Sequence, residues 1–153
     1  MSDGDPVAHN DNTDDYTVDD DPERLDLDAI CAYLSTSVYW ARWRPVDVIR
    51  EQVRTAWRVV GAYAADGSQV GFARAVGDGF ALAYLADVYV HDDHRGHGLG
   101  KRIVRHMIDD GPGAKFRWML HTSDAQGLYH QFGFSEPGPQ SQYTYLERPS
   151  TQG

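Results

Sequence analysis

The chain has 153 residues, 41% of them hydrophobic, a formal net charge of −9 and one cysteine. That length suits a single domain, and a lone cysteine excludes both an internal disulfide and a thiolate metal cluster. No apolar run long enough to span a bilayer and no basic-then-apolar leader is present, so the expectation is a soluble, cytoplasmic protein with no membrane segment.

The charge is uneven. Residues 1–21 hold eight aspartates and no Lys or Arg, whereas the rest of the chain holds fifteen acids and fourteen bases. The reading is an acidic N-terminal tail over residues 1–21, expected to be largely disordered, followed by one domain over 22–153. A near-neutral body argues against nucleic-acid binding.

Asp26 to Leu34 has apolar residues at 27, 30, 31 and 34, a helical spacing that makes Cys31 a buried, inert thiol. An aromatic loop through Tyr39, Trp40 and Trp43 follows, and Pro45 with Asp47 opens a second helix through Arg54. Trp57–Ala64 and Val70–Val76 flank Asp66-Gly67 as a hairpin, and Phe80–Val90 is a third strand. Leu99, Ile103, Val104, Met107 and Ile108 share a helical face, and Gly111-Pro112-Gly113 stops that helix. Phe116–His121 reads as a strand and Asp124 caps a short helix through Phe132. Phe134 and Tyr143–Leu146 are the last strand candidates. Periodicity alone gives an α/β or α+β domain.

Between the third strand and the long helix lies Arg95-Gly96-His97-Gly98-Leu99-Gly100. Glycines at a helix N-terminus present unpaired N–H donors and a positive dipole end, which suits a phosphate. A nucleotide P-loop is excluded, because Gly96 to Gly100-Lys101 is one residue short and Arg102 stands where a hydroxyl should. A dinucleotide fingerprint is excluded as well, since the third glycine comes one residue early and no repeated βαβ unit follows.

The segment resembles the coenzyme A loop of the GNAT superfamily of N-acetyltransferases, whose pattern of Arg or Gln, two residues, Gly, one residue, Gly or Ala is filled by Arg95, Gly98 and Gly100. Val90-His91-Asp92-Asp93-His94 matches the family's strand end apart from Asp92, where Pro is usual. Downstream, Leu128-Tyr129-His130-Gln131-Phe132-Gly133-Phe134 is similar to the family's LYxxxGF segment.

The resemblance implies a GNAT-like mixed, mostly antiparallel central sheet with helices on both faces. It implies transfer of an acetyl group from acetyl-CoA to a primary amine by direct attack in a ternary complex. The pyrophosphate would rest on the N–H groups of Gly96, His97, Gly98, Leu99, Gly100 and Lys101, with Arg95 touching phosphate or anchoring the loop. The pantetheine arm would pair with the backbone of Val88, Tyr89 and Val90. Tyr129 matches the tyrosine that protonates the departing thiolate in many relatives. The base is open among His121, whose residue type titrates near neutrality, Asp87 and Tyr84, and Asp87 is equally readable as a structural carboxylate.

The aromatic loop lies where the family commonly builds its acceptor pocket, so Tyr39, Trp40, Arg44 and Tyr84 are the acceptor-binding candidates, Arg44 meeting a carboxylate. The same tryptophans read equally well as core. A small-molecule amine is favoured over a protein acceptor, and a homodimer is compatible with the family. His91, His94 and His97 recur every third residue, but not at the helical pair spacing of a zinc site, and no metal is predicted. The rival readings are a non-catalytic acyl-CoA-binding or sensing domain and an interaction module driven by the acidic tail.

Overall fold

The computed structural model describes residues 15–36, 44–138, 142 and 144–152. Most of the acidic segment lies outside them, as do Tyr39, Trp40, Trp43 and Tyr143. In chain order the elements are β1 (Thr17–Asp19), α1 (Leu27–Thr36), α2 (Val46–Arg54), β2 (Arg58–Tyr63), β3 (Gln69–Gly77), β4 (Leu82–Val90), α3 (Leu99–Met107), β5 (Arg117–Met119) and α4 (Gln126–His130). The sheet order is β1-β2-β3-β4-β5, antiparallel as far as β4 and parallel between β4 and β5.

Alternation along the strands divides the core into two layers. Val59, Phe72 and Tyr89 face Ile30, Cys31, Tyr33 and Leu34 of α1 and Ile49 and Val53 of α2. Val60, Ala62, Ala73, Ala75 and Leu85 face Leu99, Ile103, Val104 and Met107 of α3. Each fully buried aliphatic side chain contributes about 1.5–3 kcal/mol, so neither layer is dispensable. Cys31 lies in the first layer, with burial pushing its thiol pKa up, as an inert core residue requires. The Asp26 carboxylate starts α1 by accepting from the Ala29 N–H at 3.1 Å, while the Asp26 N–H donates to Gln69 Oε1 at 2.7 Å.

Two elements differ from expectation. The sheet begins inside the acidic segment: Thr17–Asp19 pairs with Gly61–Tyr63, although one valine among acids gives no readable strand pattern. At the other end no strand forms after α4 among the described residues. Phe134 is drawn into the helix terminus instead. Gly133 adopts φ +86°, its N–H donates to the His130 carbonyl, and the Phe134 N–H donates to the Tyr129 carbonyl. This is the paired bonding of a Schellman stop, with Phe134 edge-on to Tyr129 at 5.9 Å as its hydrophobic clasp. The Gly-Phe of the LYxxxGF segment is therefore a helix stop, not a strand start.

A β-bulge sets the site. Arg74 pairs with Asp87 but Ala75 with Leu85, leaving Ala86 as an extra residue. The bulge puts Leu85 on the α3 face together with Val88 and Val90, and Tyr84 on the α1/α2 face together with Asp87 and Tyr89.

Candidate active site

β4 and β5 pair only over Leu82–Tyr84 and Arg117–Met119, so beyond Tyr84 the edge of β4 facing β5 is unpaired. The His91 N–H donates to the Val70 carbonyl on β3 at 2.8 Å. Strand alternation then turns the peptide groups of Tyr89 toward β3 and those of Val88 and Val90 toward the open edge. Of the three residues expected to pair with an extended arm, Val88 has free backbone for it and Val90 a free N–H, the Val90 carbonyl being held by Arg95. Tyr89 does not, and its ring is stacked on Tyr33 at 4.0 Å in the core.

The opening between β4 and β5 is a cleft of about 480 Å³ lined by Tyr84, Leu85, Ala86, Val88, Leu120, His121, Thr122, Ser123, Asp124, Ala125 and Tyr129. Gly98 caps α3 with φ +76°, a conformation that strains any residue with a Cβ, and a Cβ built at Gly96 or Gly98 would meet nothing within 4 Å. The Arg102 N–H makes the first bond into the helix, to the Gly98 carbonyl, so the N–H groups of Leu99, Gly100 and Lys101 have no intrahelical acceptor. The result is an open, donor-lined cradle at a positive helix end.

Arg95 anchors this cradle. Its Nε donates to the Val90 carbonyl at 3.2 Å, and its terminal nitrogen reaches the Tyr33 hydroxyl at 3.3 Å and Asp92 at 3.1 Å. The three histidines diverge, His91 against Tyr33 and His94 and His97 against Tyr16. Among the described residues no group of three potential ligands could hold a metal.

Tyr129 is 8% exposed and lines the cleft. Its hydroxyl has no hydrogen-bond partner among the described residues, yet it is not sealed from solvent, since the one fully sealed, unpartnered side-chain oxygen or nitrogen among them is the Tyr63 hydroxyl. Burial, followed by the nearby Asp124 carboxylate, raises the Tyr129 pKa, so the phenol keeps its proton well past neutrality.

Across the cleft, the Tyr84 hydroxyl lies 2.6 Å from His121 Nδ1, and His121 Nε2 lies 3.0 Å from the Tyr145 hydroxyl. Tyr145 donates onward to Glu147 Oε1 at 3.5 Å. With that hydroxyl proton committed to the carboxylate, Nε2–H donates to the Tyr145 oxygen and Nδ1 is left to accept from Tyr84. Glu147 is also 3.8 Å from Nε2, placed to stabilise an imidazolium. Desolvation, then the Tyr145 and Glu147 charges, raises the Tyr84 pKa.

Asp87 and Arg44 take other roles than those expected of a base and an acceptor contact. Asp87, 3% exposed, receives two bonds from Arg44, at 2.9 and 3.2 Å, and one from Arg74 Nε at 2.7 Å. Burial pushes the carboxyl upward, but the two guanidiniums outweigh it and hold the pKa below the ordinary range. A carboxylate so occupied is a poor proton acceptor. Arg44 is equally committed, also donating to Gln52 at 2.7 Å. Tyr39 and Trp40 lie outside the described residues.

Sequence reasoning missed Arg74, Tyr145 and Glu147. Arg74 reads as a polar interruption in an apolar strand, and only the β3–β4 register sets it opposite Asp87. Tyr145 and Glu147 lie far along the chain from His121, and no local pattern points back to it.

An open strand edge, an anion cradle and a cleft between a protonated phenol and a histidine define an enzyme of the acyltransferase class. Comparison with known proteins names it further. Residues 56–136 match the model of the acetyltransferase (GNAT) domain. A Gibberella zeae protein described as an acetyltransferase is 32% identical over 136 residues, covering 75% of this chain and 76% of the relative. Serotonin N-acetyltransferase 2 of rice is 31% identical over 87 residues, 56% of this chain and 44% of the relative. A GNAT-family structure from Xanthomonas campestris pv. campestris superposes with a TM-score of 0.79 at 34% identity, covering 88% of this chain and 93% of that one. The chain belongs to the GNAT family of acetyltransferases.

Proposed function

We propose that the protein transfers an acetyl group from acetyl-CoA to a primary amine of a small molecule, by direct attack in a ternary complex. The observation that carries this is the cleft itself: the unpartnered Tyr129 hydroxyl and the hydrogen-bonded Tyr84–His121 pair line one opening along the free edge of β4. The likeness to an enzyme named for serotonin supports an amine as acceptor.

The N–H groups of the Gly96–Lys101 segment fit a pyrophosphate, and the free backbone of Val88 with the N–H of Val90 fits an extended arm carrying amides. When bound, acetyl-CoA supplies a thioester, whose carbonyl an amine can attack and whose thiolate can leave. The Val88 and Val90 N–H groups are the donors available to a developing oxyanion. Tyr84 takes a proton from the attacking ammonium or amine as its own passes to His121 Nδ1, with Glu147 stabilising the imidazolium. Tyr129 gives its proton to the departing sulfur.

Acetyl-CoA at about 100 times its Kd is expected to raise the melting temperature by roughly 5–10 °C, with no shift from ATP or NAD. Release of free thiol in the presence of an amine panel is the matching activity test. Absence of both effects overturns the proposal. His121→Gln is expected to lower kcat/KM at neutral pH by about 100-fold while leaving acetyl-CoA binding intact. Unchanged turnover would remove His121 and Tyr84 as the proton path.

A further inference from the structure

The Arg44–Asp87–Arg74 cluster is not neutral. It sets two guanidiniums against one carboxylate, with side-chain exposures of 5%, 9% and 2% for Arg44, Arg74 and Asp87. Arg44 makes bonds to Asp87 and Gln52. Arg74 bonds to Asp87 only through Nε, and its two terminal nitrogens carry no hydrogen bond among the described residues. Those nitrogens are not sealed away, because the Tyr63 hydroxyl is the one sealed, unpartnered polar side-chain atom among the described residues. A buried guanidinium thus keeps the outer edge of its fork unpaired and within reach of solvent, beside an excess positive charge.

That edge lies on the same face of the sheet as Tyr84. Val76 pairs with Tyr84 and Arg74 with Asp87, so Arg74 and Tyr84 sit on adjacent strands about two residues, or ~7 Å, apart along them. The bulge at Ala86 turns Tyr84 and Asp87 to the same face, and the Arg74 charge is close enough to act on the Tyr84 hydroxyl. Glu147 stands at the far end of the Tyr84–His121–Tyr145 chain. The surroundings of Tyr84 are therefore bipolar, with a carboxylate at the His121 end and an unpaired guanidinium edge on the neighbouring strand.

We infer that the free edge of Arg74 receives an anionic group of the acceptor, so that the amine acetylated here also bears a carboxylate, as amino acids do. A planar fork with two parallel N–H groups matches a carboxylate, and no other charge in the cluster is left to neutralise it. Asp87 and Arg44 act as positioning residues, fixing the guanidinium plane from behind. The inference rests on the acetyl-transfer reading and adds the acceptor's second charge.

The test uses the full chain and acetyl-CoA with matched pairs of acceptors. Each of the common L-amino acids, β-alanine and γ-aminobutyrate is set against its own carboxamide, and CoA release is measured. For the best pair the acid is expected to exceed its amide in kcat/KM by about 10-fold or more. Arg74→Gln should raise KM for the acid by about 10- to 100-fold and change KM for the amide by less than about twofold. A purely structural Arg74 would shift both alike. Arg74→Lys keeps the charge but not the fork, and covers the case in which the Gln variant does not fold. It should retain acetyl-CoA binding by calorimetry and still lose the preference. Acids and amides acetylated equally would overturn the inference while leaving acetyl transfer standing. No CoA release with any of these amines would overturn both.

Discussion

Tyr129→Phe is expected to lower kcat by about 100- to 1,000-fold while acetyl-CoA affinity stays within about twofold. The hydroxyl has no partner among the described residues, so removing it breaks no bond in the resting protein, and the ring keeps its edge-on contact with Phe134. The melting temperature should therefore barely move, which separates a chemical loss from a folding loss. Burial, then the Asp124 carboxylate, raises the Tyr129 pKa, so the acid form persists to higher pH than for a free tyrosine. The alkaline fall of the wild-type rate, as the phenol ionises, should accordingly come at higher pH than a free tyrosine would give. The Phe variant should lack that limb. Steady-state kinetics across pH, with calorimetry for acetyl-CoA, reads both effects, and a variant with wild-type turnover would show that the thiolate leaves without Tyr129.

The glycine loop and the helix stop were legible because they are local. Gly98 is needed for a positive φ at a helix start, Gly133 for a helix stop, and both are short-range requirements written in consecutive residues. Helices α1 and α3 were legible for the same reason, since their apolar faces recur at helical spacing, and α2 was legible from Pro45 and Asp47 at its start. The surroundings of Tyr84 and Asp87 depend on strand register. A one-residue bulge at Ala86 decides which way Tyr84 and Asp87 point, and nothing in Leu85-Ala86-Asp87 announces it. Asp87 was read as a base or equally as a structural carboxylate, and Arg44 as an acceptor contact. Their partnership, 43 positions apart, was invisible, and so Arg44 was given an acceptor's carboxylate where it has that of Asp87. Tyr145 falls in the Tyr143–Leu146 strand candidate and Glu147 just beyond it, whereas their observed use is to partner His121.

Asp87→Ala is expected to destabilise the fold by about 3–5 kcal/mol, since it leaves two buried guanidiniums without their anion. For a chain of this size that lowers the melting temperature by on the order of 10 °C. Asp87→Asn, which keeps the shape but not the charge, should recover only part of the loss. The pH dependence has a definite sign. The Asp87 pKa is held below its ordinary value in the folded state, so its contribution is full above the unfolded carboxylate range and fades as pH falls through the lower folded value. Acid melts of wild type should therefore steepen below about pH 4, and those of Asp87→Asn should lack that component. The cluster's role in stability is separable from its role in recognition. A triple replacement, Asp87→Leu with Arg44→Met and Arg74→Met, removes every charge together and should regain much of the stability that Asp87→Ala loses. It should nevertheless acetylate an amide as readily as the matching acid. A melting temperature unchanged in Asp87→Ala would mean that the guanidiniums find solvent without their partner, and that β4 is held in register by its backbone alone.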